Sequence, residues 1–155
     1  MDLFINKGAE FSKCRRYRYA LWRIWDDSMP KVMFIGLNPS KANETTDDPT
    51  IRRVHRFAIE WGYGGFYMLN LYAWVTPYPG ELLNCEDPVG NNDEWIEKIA
   101  GKCDKVIFAW GSGEMAESRA SIMTEKFDGF VLKHNKNGSP RHPLYVPSGT
   151  KPVKF

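Results

Sequence analysis

The stretch Lys31-Val32-Met33-Phe34-Ile35-Gly36-Leu37-Asn38-Pro39-Ser40 decides how the fold is read. Val32 to Ile35 are four consecutive apolar residues with no alternation. So short a run suits a strand covered on both faces. Gly36 ends the run and lets the backbone come close to a ligand. Two residues on, the Asn38 side chain offers both a donor and an acceptor, enough to hold a water or read the edge of a base. Ser40 adds a hydroxyl to the same segment.

Working outward, the aromatic-rich segment Tyr17 to Trp25 reads as a strand, and Asp26 to Pro30 as a turn, so the two strands are expected to form a β-hairpin. Downstream, the polar loop Gly36–Thr50 ends in Asp48-Pro49, an N-cap acceptor followed by proline at the first helical position. The helix that follows turns Ile51, Val54, Ala58 and Trp61 inward and Arg52, Arg53, Arg56 and Glu60 outward. Gly62, Gly64 and Gly65 stop it. Phe66 to Leu71 is a buried strand, and 72–92, rich in Pro and Gly, is irregular. A helix carrying Trp95, Ile96, Ile99 and Cys103 leads to the strand Lys105 to Trp110. Another, carrying Ala116, Ala120, Met123 and Phe127, leads to Phe130–Leu132. This alternation predicts an α/β fold in three layers, α/β/α, around a mainly parallel sheet of about four to five strands. Ligands of such sheets bind beyond the carboxyl ends of the strands. The expected site therefore lies between the loops Gly36–Thr50 and Gly138–Gly149.

The 155 residues suit a single domain spanning 1–155. Aromatic residues make up 14% of the chain, enough for stacking platforms as well as core. A net charge of +2 does not by itself mark a nucleic-acid binder, although Arg52, Arg53 and Arg56 cluster on one helix face. Three cysteines with no paired spacing suit a reducing cytoplasm. No apolar run in MDLFINKGAEFSKCRR suggests a leader and no window suggests a membrane span, so a cytoplasmic protein without a membrane partner is expected. No metal-ligand spacing is present and no cofactor is expected.

Further candidate site residues stand in the loops and strand ends. Asp48 caps a helix whose N-terminus attracts anions, and Asp47 beside it is free for general-base work. Asn70, a polar residue in the apolar strand Met68-Leu69-Asn70-Leu71, needs a partner, and amides pair bidentately with base edges. His142, in Pro140-Arg141-His142-Pro143, suits acid–base work or stabilisation of negative charge. Tyr72 or Trp110 would stack on a base, and Arg52, Arg53 and Arg141 would hold phosphates.

Taken in order, these segments resemble the uracil-DNA glycosylase superfamily. Gly36-Leu37-Asn38-Pro39 looks like the first motif of its mismatch-specific branch, whose Asn positions the attacking water. Leu69-Asn70 looks like the base-reading Asn of the uracil branch, and Val106 to Ser112 like that branch's strand and Trp-Gly segment. His142-Pro143 looks like the second catalytic motif, though Leu144-Tyr145 follows where Ser is usual. The chain more closely resembles a group of small uncharacterised bacterial and phage proteins, in Tyr-Arg-Tyr, Asn-Pro-Ser, Asp-Asp-Pro-Thr-Ile-Arg-Arg and Arg-His-Pro. The first resemblance implies a uracil-DNA glycosylase-like fold and hydrolysis of an N-glycosidic bond. Asn38, Asp47 and His142 would be catalytic. Gly36, Ser40, Asp48, Asn70, Tyr72, Trp110, Arg52, Arg53 and Arg141 would contact the substrate, with Leu144 or Tyr145 as a wedge in DNA. The alternative is a protein that sequesters a nucleotide without turnover, and either way the partner is a nucleic acid or free nucleotide. A third reading seats Mg²⁺ on Asp47 and Asp48.

Overall fold

The computed structural model describes residues 6–155, so part of the leading segment read above, residues 1–5, lies outside the described residues. Seven strands form one sheet: β1 (Asn6–Phe11), β2 (Arg18–Ile24), β3 (Lys31–Gly36), β4 (Gly65–Asn70), β5 (Lys105–Phe108), β6 (Phe130–Val131) and β7 (Val153–Lys154). Their order is β1-β2-β4-β3-β5-β6-β7. Three α-helices connect them, α1 (Pro49–Glu60), α2 (Asn92–Ala100) and α3 (Glu114–Lys126), with short 3₁₀ turns at Pro79–Asn84 and Pro143–Tyr145.

This sheet overturns the expected one. It is mixed and has seven strands: β1–β2, β2–β4 and β6–β7 pair antiparallel, and parallel pairing joins β4, β3, β5 and β6. The mainly parallel, glycosylase-like sheet of about four to five strands is not the one present. The extra strands are edges. β1 is the polar stretch Asn-Lys-Gly-Ala-Glu-Phe, which carries no apolar alternation because an edge strand need not bury both faces. Its Gly8 has no side chain because a Cβ would stand 2.7 Å from the Trp22 ring.

The expected hairpin of β2 with β3 is also overturned: β4 lies between them. Two glycines make room for it. A Cβ on Gly64 would sit 2.0 Å from the Asp26 carbonyl oxygen, and one on Gly65 would sit 2.9 Å from that of Arg23. The Gly64 carbonyl accepts from the N–H groups of Trp25 and Asp26, while its own N–H donates to the Pro30 carbonyl. The glycines that stop α1 thus also let β4 enter between the two earlier strands.

β3 is covered on both faces, as its four apolar residues require. Val32 and Phe34 pack with Ile51, Val54, Phe57 and Ala58 of α1. Met33 and Ile35 pack on the opposite face with Ile96 and Ile99 of α2 and Met123 of α3. Each large side chain buried this way contributes roughly 1.5–3 kcal/mol. Asp48 caps α1, accepting a 2.9 Å hydrogen bond from the Ile51 N–H, and Pro49 begins the helix. The chain leaves β3 for β4 on one side and then crosses to β5 on the other. Such a reversal opens a crevice at the carboxyl ends of the strands. Among the described residues no helix is long and apolar enough to cross a membrane.

Candidate functional site

A cavity of about 190 Å³ occupies that crevice. Pockets that enclose drug-sized ligands run from roughly 300 to 1,000 Å³, so this one admits a compact ligand or one end of a larger one. Gly36, Asn38, Ser40, Asp48, Asn70, Trp110 and His142 line it, all singled out from the sequence. Thr50, at the helix N-terminus where the sequence leads one to expect an anion, lines it too, and so do Arg18 and Thr76, which the sequence does not single out.

Asn38 is held by its amide nitrogen. Nδ2 donates to the Thr76 carbonyl at 2.8 Å and to the Pro39 carbonyl at 3.0 Å. With both protons spent on carbonyls the amide cannot be turned over, and Oδ1 is left as an acceptor. The Thr76 N–H in turn donates to the Pro39 carbonyl, so the segment after β4 braces the Asn38 loop.

Asn70 ends β4 and is 3% exposed. Its Nδ2 is buried and has no hydrogen-bond partner among the described residues. Its backbone carbonyl is taken by Nδ2 of Asn92, which also donates to the Leu71 carbonyl and fixes the strand end. Gly36 makes space for the amide, since a Cβ there would stand 2.8 Å from Asn70 Oδ1 and 2.7 Å from Met68 Cε. Trp110 is buried against Phe108, with ring centroids 4.6 Å apart.

His142 enters from the loop that precedes the turn Pro143–Tyr145. Its Nδ1 accepts from the Leu144 N–H at 3.2 Å, so the neutral ring carries its proton on Nε2. Burial pushes its pKa below the ordinary histidine value, partly opposed by the Asp48 charge.

Arg18, at the start of β2, is 3% exposed. Nη1 donates to the Ala42 carbonyl at 3.1 Å, and Nε has no partner among the described residues. Burial pushes its pKa down to about 10, with Asp48 opposing and Arg23 reinforcing the shift, so the group remains a cation at neutral pH. The sequence signal for it was a basic residue inside a strand of apolar and aromatic neighbours, Tyr17-Arg18-Tyr19-Ala20-Leu21. In sequence it is one of four arginines, with Arg15, Arg16 and Arg23, that cluster early in the chain and suggest a basic face.

Other candidates stand away from the cavity. Asp47 Oδ1 accepts from Arg23 Nε at 3.0 Å and forms an ion pair with Arg23 Nη2 at 2.9 Å. It is the counter-ion of a fully buried arginine rather than a free base, and Asp48 is the carboxylate that faces the cavity. The two aspartates point to different partners, which weakens the reading of them as a joint Mg²⁺ seat. Tyr72 is buried against the α3 layer, its hydroxyl donating to the Met115 carbonyl at 2.7 Å, and it does not line the cavity. Arg52 and Arg53 lie in a shallow surface groove with Arg56 and Leu144, and their guanidinium groups reach the carbonyls of Asp47 and Val146. Arg141 donates to Asn135 Oδ1 in another shallow groove, which it shares with His142 and the exposed Tyr145.

Compared with known proteins, the chain belongs to the family described as "Protein of unknown function (DUF1643)", whose profile matches residues 18–144. Arg18 to His142 fall inside the matched span. No curated protein and no solved structure matches the chain.

Proposed function

We propose that this chain recognises a nucleobase or nucleotide and hydrolyses an N-glycosidic bond in the manner of a DNA glycosylase. The observation that carries the reading is the buried Asn70, which lines a compact cavity together with Trp110 and whose Nδ2 has no hydrogen-bond partner among the described residues. A buried donor left unpaired costs about 1–3 kcal/mol, and a base edge that accepts from it removes that cost. The reading draws on the site rather than on the fold, since the sheet departs from the one that the glycosylase resemblance implied.

The chemistry can be assigned atom by atom. The bond from the sugar to the base breaks with its electron pair going to the base nitrogen, and the sugar carbon becomes oxocarbenium-like. Asn38 Oδ1 accepts from the attacking water and orients it. Asp48, whose Oδ1 also holds the helix cap, supplies the carboxylate that takes up the water proton. The Nε2–H of neutral His142 donates to the departing base and stabilises its developing negative charge. On duplex DNA the base must first be flipped out, at a cost of a few kcal/mol.

The test is incubation with oligonucleotides carrying uracil, mismatched and modified bases, and with free nucleosides and nucleotides, scoring abasic sites and free base. Release of a base by wild type, lost in Asn38→Ala and Asn70→Ala, is the expected result. No release from any substrate refutes hydrolysis. The second reading, binding without turnover, is favoured by the commitment of Asp47 to Arg23, which leaves one carboxylate in the cavity. It predicts that ligand is recovered intact.

A further inference from the structure

Among the described residues no carboxylate touches the buried Arg18 cation, and the charge of Asp48, which lines the same cavity, supports it only from a distance. Arg18 makes no ion pair among these residues, its one hydrogen bond goes to the neutral Ala42 carbonyl, and its Nε is unpartnered. Holding a charge out of water with few partners is unfavourable, and an anion that enters the cavity offsets that cost. Other donors share the cavity. Ser40 and Thr50 line it, and Thr50 stands in the first turn of the twelve-residue α1. The first N–H groups of a helix have no intrahelical partner, and the helix dipole favours an anion there. Asp48 takes the Ile51 N–H and leaves that of Thr50.

We infer that Arg18, Ser40 and the α1 N-terminus at Thr50 form an oxyanion subsite that takes the phosphate of a nucleotide. The nucleotide part of this inference rests on the proposed function; the anion part rests on Arg18 and the α1 N-terminus. Arg18, Ser40 and Thr50 come from β2, the loop into α1 and the first turn of α1, whereas Asn70 ends β4 and Trp110 follows β5. The phosphate and the base of one ligand thus have separate partners. A ligand that carries both a phosphate and a base offers a group to each set. This shifts the expected substrate from a base buried in duplex DNA toward a nucleoside monophosphate.

Asp48 lines the same cavity and opposes an anion, which supplies a control. Asn caps a helix as well as Asp does, so Asp48→Asn removes the charge and keeps the cap. The experiment is calorimetric titration of the full chain with inorganic phosphate, the common nucleosides and their monophosphates. Wild type, Arg18→Met and Asp48→Asn are each checked for folding by circular dichroism. The expected result is that wild type binds phosphate, and binds a monophosphate roughly tenfold or more tighter than its nucleoside, as one charged hydrogen bond supplies. Arg18→Met erases the difference, and Asp48→Asn tightens phosphate.

Phosphate binding without any preference for nucleotides keeps the subsite and removes the nucleobase reading. A nucleoside bound as tightly as its monophosphate, with no phosphate binding, keeps the nucleobase reading and removes the subsite. If Arg18→Met does not fold, the Asp48→Asn arm decides: phosphate affinity that is unchanged or weaker overturns the proposal.

Discussion

Arg18 and Arg23 lie on one strand, five positions apart, and both are buried, yet they are provided for in opposite ways. Arg23 has a carboxylate and three carbonyls: Asp47 on Nε and Nη2, Gly8 and Trp22 on Nη1, and Asn43 on Nη2. Arg18 has the Ala42 carbonyl and a cavity. On the proposal made above, the difference separates a structural charge from a functional one. A buried arginine whose donors are met ties β1, β2 and the 43–47 loop together. A buried arginine whose donors are unmet stores an interaction for something that arrives later.

The largest expected effect lies on the structural side. Asp47→Ala leaves Arg23 buried without its counter-ion and should cost about 3 kcal/mol of unfolding free energy, at the lower end for a broken buried pair because three carbonyls remain. Chemical denaturation measures this, and a cost under about 1 kcal/mol would erase the distinction between the two arginines. Arg18→Met should change stability by less than about 1 kcal/mol, or raise it, because an apolar side chain of similar length replaces an unpaired charge. A loss as large as that of Asp47→Ala would make Arg18 structural. The double variant Arg23→Met with Asp47→Ala should recover about 1 kcal/mol or more relative to Asp47→Ala alone, whereas Arg18→Met with Asp47→Ala should be additive within roughly 0.5 kcal/mol.

A smaller effect is titratable and reads the Arg18 side alone. His142 holds its proton less readily in the fold than its ordinary value of 6.5. As pH falls below that value the unfolded chain takes up a proton that the folded chain resists. The contribution to stability is therefore intact above about pH 6.5 and is lost as pH falls toward the lowered folded value. Denaturation midpoints measured across this window should fall with acidification, and His142→Gln should flatten the slope. An unchanged slope in that variant would place the titration elsewhere.

The same two arginines mark where sequence reasoning works and where it stops. Val32 to Ile35 announce a strand buried on both faces, and Asp48-Pro49 announces a helix start, because both signals are local. Asn70 is legible for the same reason, as a lone amide in an apolar run. The placement of β4 between β2 and β3 is not legible. It depends on the close approach of Gly64 to the Asp26 carbonyl, a contact 38 residues apart in the chain, and the glycines also satisfy the simpler reading of a helix stop. β1 is missed because a polar edge strand has no periodic signature. Asp47 and Asp48 look alike in sequence. Only the position of Arg23 withdraws one from the cavity and leaves the other in it. Arg18 and Arg23 are likewise indistinguishable until the partners of each are known.

The most direct test follows the side-chain nitrogens themselves. In a ¹⁵N–¹H spectrum recorded while nucleoside monophosphates are added, the Arg18 Nε–H and the Asn70 Nδ2 protons should shift together and saturate at the same concentration. The Arg23 Nε–H should stay in place. Ligand that binds and moves Arg23, or that leaves both Arg18 and Asn70 unmoved, would contradict the assignment of this cavity as the recognition site.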